Sequence, residues 1–168
     1  MAPTIELLTL ADDGLVPNNP RMPARTYRGA LPVGGDAERR IEAHFARHGW
    51  SNAWVNGIYP FHHYHATVHE VLGIARGSVR VQLGGPSGPV VELRAGDGVL
   101  IPAGVGHCRI EASNDLSVVG AYPGGADWDL VRATVEARAD AIARIARVSL
   151  PETDPVLGDP LADAMRAS

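Results

Sequence analysis

The chain contains no lysine, and all 15 of its basic residues are arginine. That excludes chemistry built on a lysine amine, whether as Schiff base or general base, although a biased base composition in the source genome accounts for the absence equally well. The single cysteine, Cys108, has no partner for an internal disulfide, which fits a reducing cytoplasm. Basic clusters are missing and the formal net charge is −4, so the electrostatic footprint of a nucleic-acid binder is absent. No apolar run approaches the ~20 residues of a membrane span. The segment Met1–Leu10 lacks the basic start and long apolar stretch of a signal peptide. The expectation is a soluble cytoplasmic protein that engages neither nucleic acid nor membrane. The chain also shows no internal repeat and no low-complexity tract.

Turn chemistry is plentiful: 19 glycines and 13 prolines in 168 residues favour many short elements over a helical bundle. Residues 1–35 carry extended pieces at Thr4–Leu10 and Ala24–Leu31 between Pro and Gly. Asp36 is placed to cap a helix over Ala37–His48, with Ile41, Phe45 and His48 on one face and Gly49 closing it. From Asn52 the period becomes two. Ser78–Leu83 alternates Val79, Val81 and Leu83 with polar residues, and the turn cluster Gly84–Gly88 returns the chain through Val90–Arg94. Val99–Ile101, His107–Ala112 and Leu116–Tyr122 follow as further strands. Short strands with turns roughly every 8–12 residues signal an all-β sandwich or barrel. After Pro123-Gly124-Gly125 the helical period returns. Asp127 is placed to cap a helix over about Leu130–Arg147, whose apolar side is Leu130, Val131, Val135, Ala139 and Ile142. The tail from Pro151 is irregular and either docks or frays. The chain therefore reads as one domain in three stretches: an N-terminal extension and helix packing on the barrel (1–50), a barrel core (51–125), and a C-terminal helix and tail (126–168).

Four of the seven histidines fall between positions 62 and 69. Packing does not explain such crowding, because an imidazole costs free energy to bury without partners, whereas histidine is the commonest metal ligand. His63 and His65 are two apart, so on an extended chain both point to one face. Glu70 adds an oxygen donor close behind, and His107 arrives from a distant strand after a Pro-Gly corner. Three nitrogens and one oxygen suit one divalent metal ion among Fe, Mn, Ni, Cu and Zn. Strict alternation places His69, not Glu70, on the face of His63 and His65, so His69 is an alternative ligand. Ala66-Thr67 can host a turn, so on the residues alone both His69 and Glu70 stay open as the next ligand. His62 has the wrong parity and reads as a surface residue. His44 and His48, four apart on a helix, read as a solvated face.

The residues just named resemble the two signature motifs of the cupin superfamily. Gly57, His63, His65, Glu70 and Gly77 match the first motif at every spacing. Gly96, Pro102, Gly104 and His107 match the second, with Glu111 standing where an Asn is expected. The segments Phe61–His65 and Gly125–Asp129 are similar to a subgroup of small single-domain bacterial cupins, the YjlB-like proteins. The resemblance implies a double-stranded β-helix, the cupin jelly-roll barrel, with a metal in its mouth held by His63, His65, Glu70 and His107. It also implies a homodimer, in which the 1–35 arm can add a strand to a neighbour's sheet.

Several chemistries are open to such a site. The leading expectation is a metal-dependent enzyme of dioxygenase or isomerase/lyase type acting on a small polar or carboxylate-bearing metabolite. Glu70 then serves as a base, or Tyr64 or Tyr59 handles the proton. Tyr59 and Arg109 are the expected substrate contacts, Arg109 forking onto a carboxylate. Arg109 and Glu111 share the parity of His107, so an ion pair between them, or a cross-strand pair, is the competing reading. Cys108, of opposite parity, reads as a small buried residue. The alternative to catalysis is a small-ligand or metal-binding or sensing cupin, and a storage barrel is a third reading.

Overall fold

The computed structural model describes residues 2–161, and the part of the expected tail at 162–168 lies outside the described residues. In chain order the elements are β1 (Thr4–Leu8), β2 (Ala24–Arg28), α1 (Ala37–Arg47), β3 (Trp50–Asn56), β4 (His63–Tyr64), β5 (Glu70–Arg76) and β6 (Ser78–Leu83). They continue with β7 (Val90–Arg94), β8 (Gly98–Ile101), β9 (His107–Ala112), β10 (Ser117–Pro123), β11 (Val131–Arg132) and α2 (Val135–Ile145). The strands form two antiparallel sheets, ordered β1-β2-β8-β5-β10-β3 and β11-β4-β9-β6-β7. Together they make the double-stranded β-helix barrel.

Period-two alternation sorts the side chains into two cores. Leu72 and Ile74 of β5 point into the barrel and cluster with Val79, Val81, Leu83, Leu93, Val99, Ile101 and Val118. Their neighbours Val71 and Ala75 point outward and cluster with Leu100, Val119 and Ala121 beneath Ile41 and Phe45 of α1. Ile41 and Phe45 are fully buried there, each contributing about 1.5–3 kcal/mol from removal of its apolar surface from water. Gly73 permits this close approach: a Cβ at that position would stand 2.8 Å from Ile41 Cγ2 and 2.9 Å from Phe45 Cζ.

Three expectations change. The N-terminal arm pairs within its own chain: β2 lies beside β8, with Arg25 opposite Leu100, and β1 lies outside β2. The C-terminal helix begins at Val135, capped by the Thr134 hydroxyl, which accepts from the Ala137 N–H at 3.2 Å. Val131 and Arg132 are instead taken up as a strand against Tyr64 and His63. That pairing delays and rotates the helix, so its buried face is Ala141 and Ile145, while Leu130, Val135 and Ile142 are exposed. Asp36 occupies the N-cap position of α1 but its side chain makes no capping bond.

The chain after Pro151 docks. Val156 and Leu161 join the cluster under α1, and the ring nitrogens of His44 and His48 bond the carbonyls of Val156 and Pro155 at 2.7 and 2.8 Å. These two helix histidines fasten the tail and are not a solvated pair. Asp154, fully buried, binds Arg25 at 3.0 Å and accepts from the Tyr27 hydroxyl at 2.6 Å. Among the described residues no helix is long and apolar enough to cross a membrane.

Candidate metal centre

His63 on β4 lies opposite His107 on β9. The chain then bends at Ala66-Thr67 before β5 starts at Glu70. The Asp129 carboxylate pins this bend: it accepts the N–H of Ala66 at 3.0 Å, the N–H of Thr67 at 3.1 Å and the Thr67 hydroxyl at 2.7 Å. The bend resets the strand alternation, so Glu70 points into the barrel and His69 does not. One donor atom from each of His65, Glu70 and His107 lies within 4.8 Å of the others. Glu70 Oε2 is 3.3 Å from His65 Nε2, and Oε1 is 3.4 Å from His107 Nε2. His63 flanks this group, its ring centroid 4.0 Å from that of His107 and 6.2 Å from that of His65.

Backbone carbonyls set the tautomers. Nδ1 of His63 bonds the carbonyl of Phe61 at 2.8 Å, Nδ1 of His107 bonds that of Val105 at 3.2 Å, and Nδ1 of His65 bonds that of Asp129. A carbonyl only accepts, so each Nδ1 carries a proton and Nε2 is the nitrogen left for a metal; burial opposes charge on His65, but the facing Glu70 carboxylate raises it, so a metal displaces a proton from that Nε2. His69 is wired differently. Its Nδ1 accepts from the Ala103 N–H at 2.9 Å and its Nε2 donates to the Ser149 carbonyl at 2.8 Å. Both nitrogens are used, and no lone pair is left for a metal. Burial works against charge on Glu70, yet the facing His65 and His107 imidazoles hold its carboxyl well below the usual carboxylate range. Burial, with the His107 ring beside it, pushes His63 down to about 3. Imidazole lone pairs around a buried carboxylate are a donor set that fits one divalent cation of the borderline transition type.

Residues not singled out from sequence as site residues support Glu70. The Tyr122 hydroxyl donates to Oε2 at 2.7 Å, and Trp54 Nε1 donates to that hydroxyl at 2.7 Å. Burial and the Glu70 charge push the Tyr122 phenol up, so it stays a donor. Trp54 lies over Gly120, where a Cβ would stand 2.2 Å from the indole ring. The alternation of Val118, Gly120 and Tyr122 on β10 carried the signal for Tyr122. Asp129 and Trp128 lie in the Gly125–Asp129 segment that carried the family resemblance. Nothing in the spacing revealed that the Asp129 carbonyl holds His65 or that its carboxylate pins the bend.

A cavity of about 410 Å³ opens from the cluster, lined by His63, His65, Glu70 and His107 and by Tyr59, Arg109, Trp54, Tyr122 and Trp128. Tyr59 and Arg109 are both part of this lining. Tyr64, expected to handle a proton, does not line the cavity. It points to the opposite side of β4 and is packed with Val16, Ala66, Val131, Ala141 and Ile145. The Arg109–Glu111 pair does not form. The β6–β9 register shifts between Arg80 and Val81, so Arg109 faces Val81 on the inner side while Glu111 meets Arg80 at 3.6 Å outside. A bulge of this kind reverses the alternation beyond it. Cys108 is buried, as its parity implies.

No protein-family model matches the chain. Solved structures similar to it include an uncharacterized conserved protein with a double-stranded beta-helix domain from Klebsiella pneumoniae, 12% identical, covering 79% of this chain and 80% of that chain with a TM-score of 0.39. Acireductone dioxygenase from Bacillus anthracis, with a cadmium ion in its active center, is 17% identical over 74% of this chain and 80% of that chain, TM-score 0.40. RmlC from Streptococcus suis in complex with dTDP-D-xylose is 14% identical over 82% and 75%, TM-score 0.41. The sequence relationship is far stronger. The uncharacterized protein YjlB of Bacillus subtilis (strain 168) is 43% identical over 147 residues, which make up 88% of this chain and 87% of YjlB. With its paired cupin motifs and its barrel, the chain belongs to the YjlB family of cupins.

Proposed function

We propose that the protein is a metal-dependent enzyme acting on a small carboxylate-bearing metabolite, with His63, His65, Glu70 and His107 as metal ligands and Arg109 as the carboxylate partner. The observation that carries this reading is the fixed set of tautomers. The carbonyls of Asp129 and Val105 hold Nδ1 of His65 and His107 and leave Nε2 of each facing the buried Glu70 carboxylate, while that of Phe61 holds Nδ1 of His63 beside them. A divalent metal bound there supplies Lewis-acid polarisation of a substrate oxygen, as isomerase or lyase turnover requires, and a redox-active one adds the dioxygen chemistry of a dioxygenase.

The chain's own side chains do the rest. Arg109 binds and orients the carboxylate through two parallel hydrogen bonds. Ile58 and Leu72, which also line the cavity, exclude water from its inner end. Tyr122 holds its proton on Glu70 and keeps that carboxylate from turning away. Tyr59, half exposed at the mouth, takes over the place at the cavity that Tyr64 does not occupy.

Elemental mass spectrometry of the purified protein, beside His107→Ala and His69→Ala, tests the ligand set. The expected result is about one equivalent of metal in the wild type and in His69→Ala, and almost none in His107→Ala. A wild type that neither carries metal nor takes it up on reconstitution overturns the proposal. Iron directs the next assay to oxygen consumption with carboxylate substrates, and zinc, nickel or manganese directs it to NMR of substrate conversion. Tight binding without turnover across such a screen assigns the protein to the non-catalytic binding class.

A further inference from the structure

The cavity wall divides by chemistry. Of the residues that line it, two carry a formal charge, Glu70 and Arg109. Glu70 is spent on His65, His107 and Tyr122. Among the described residues Arg109 has no carboxylate within salt-bridge distance, because the β9 bulge sends Glu111 to Arg80 outside the barrel. Its guanidinium is therefore an unpaired cation on the five-stranded sheet, facing a cavity. The wall on the six-stranded sheet is aromatic. The polar tips of Trp54 and Tyr122 are turned onto each other and onto Glu70, which leaves the partly exposed Trp54 ring as an apolar surface with the buried Tyr122 ring as its support. Trp128 extends that surface: its ring lies within 17° of parallel to Tyr122, with centroids 6.3 Å apart, and it is 43% exposed.

We infer that the substrate is a monocarboxylate with a flat, unsaturated or aromatic body. The carboxylate pairs with Arg109, and the body lies against the rings of Trp54 and Trp128. One cationic side chain matches one anionic group, and with no metal at the histidine cluster a second carboxylate carried into this space has no counter-charge to offset its desolvation. A flat body stacks on the rings, and a puckered one of the same size does not. A cavity of about 410 Å³ lies at the small end of ligand sites, which limits the body to a single ring or a short conjugated chain. This inference concerns the same site as the proposed function, but it rests on Arg109 and the aromatic wall and not on the metal.

Isothermal titration with four matched probes tests it: benzoate, benzamide, cyclohexanecarboxylate and phthalate. Benzoate is expected to bind about tenfold or more tighter than benzamide, since a partly buried guanidinium without a counter-ion favours an anion over its neutral amide. It is expected to exceed cyclohexanecarboxylate by about threefold or more, the scale of an aromatic contact, and to exceed phthalate as well. Arg109→Met should erase the difference between benzoate and benzamide, and Arg109→Lys should keep part of it, with melting temperatures confirming that both variants fold. Equal binding of benzoate and benzamide, or a preference that survives Arg109→Met, overturns the assignment of the carboxylate. Equal binding of benzoate and cyclohexanecarboxylate overturns the flat body, and phthalate binding as tightly as benzoate overturns the single charge. The titrations are run on protein of known metal content and again after chelation. A charge preference that persists in protein found to bind no metal upholds this inference and sinks the metal reading. Metal-loaded protein without the preference does the reverse.

Discussion

The Tyr122 hydroxyl donates to Glu70 Oε2 at 2.7 Å while Trp54 Nε1 donates to the same hydroxyl. The phenol thus fixes one carboxylate oxygen and leaves the other facing His107. Partners that orient a ligand in this way are worth about 10–100-fold in metal affinity. Tyr122→Phe removes one oxygen and keeps the ring, so it should weaken metal binding on that scale, and it leaves Glu70 Oε2 and Trp54 Nε1 short of a partner at a cost of about 1–3 kcal/mol in stability. Calorimetric titration of the metal-free protein with Zn or Mn measures this, and an affinity within a factor of about two of wild type contradicts it.

Gly120 offers a second approach to the same bond. A Cβ there meets the Trp54 ring at 2.2 Å, so Gly120→Ala must displace the indole from Tyr122. Overpacking of this kind costs about 1–3 kcal/mol. The expected readouts are a lower urea midpoint and a shifted tryptophan emission maximum. An unchanged emission spectrum would show that the indole tolerates the added methyl in place.

Asp129 serves the ligands from behind. Its carboxylate accepts from Ala66, Thr67 and the Thr67 hydroxyl and meets Arg144 at 3.3 Å. Asp129→Ala strands the N–H of the buried Ala66, at about 1–3 kcal/mol for an unsatisfied buried group, while the N–H of the exposed Thr67 can turn to water. It also loosens the segment whose carbonyl holds His65. Stability and metal affinity should therefore fall together, measured by denaturant melts of the metal-free protein and by metal titration. A loss of stability with unchanged metal affinity separates the bend from the site.

Asp154 should behave in the opposite way. It is buried with Arg25 and Tyr27 on the far side of the barrel wall from the cluster. Asp154→Ala leaves the Arg25 guanidinium buried without a counter-charge, which costs about 3–5 kcal/mol. The melting temperature should drop sharply while metal stoichiometry in the surviving folded protein stays at the wild-type value.

Metal removal should itself be visible in stability. A metal that binds the folded chain and not the unfolded one adds about 2.7 kcal/mol at one hundred times its dissociation constant. Scanning calorimetry with and without a chelator should therefore show a lower midpoint for the chelated protein. Coincident midpoints would argue against a site preformed in the folded state.

Much of the barrel was legible because strands that face a core on one side and solvent on the other write their alternation into the sequence. Ser78–Leu83, Val90–Arg94 and His107–Ala112 have the same bounds in the structure as in the pattern. The ligand candidates were legible because their spacing repeats a known pair of motifs. Failures occurred where pairing partners decide the outcome. Leu130–Arg132 has helical spacing, yet two of its residues complete a strand beside His63. Glu111 has the parity of Arg109, yet a bulge between them sends it outward. Tyr64 sits among the histidines in sequence but belongs to the packing under α2, while Tyr122, far along the chain, reaches Glu70. Long-range contacts of this sort leave no local periodicity to read.

The Arg25–Asp154 pair spans 129 positions and ties the arm that edges the six-stranded sheet to the segment that closes over α1. On a ribosome the earlier half of that clasp emerges long before the later one. Until Asp154 is made, Arg25 has no counter-charge, and the cluster under α1 lacks Val156 and Leu161. The strands that carry the histidines can pair beforehand, but this face of the nascent chain stays open to chaperones and proteases. Sealing it is then a late event of synthesis, so frameshifts and stalls beyond residue 150 would yield barrels with their ligands assembled and one wall still exposed.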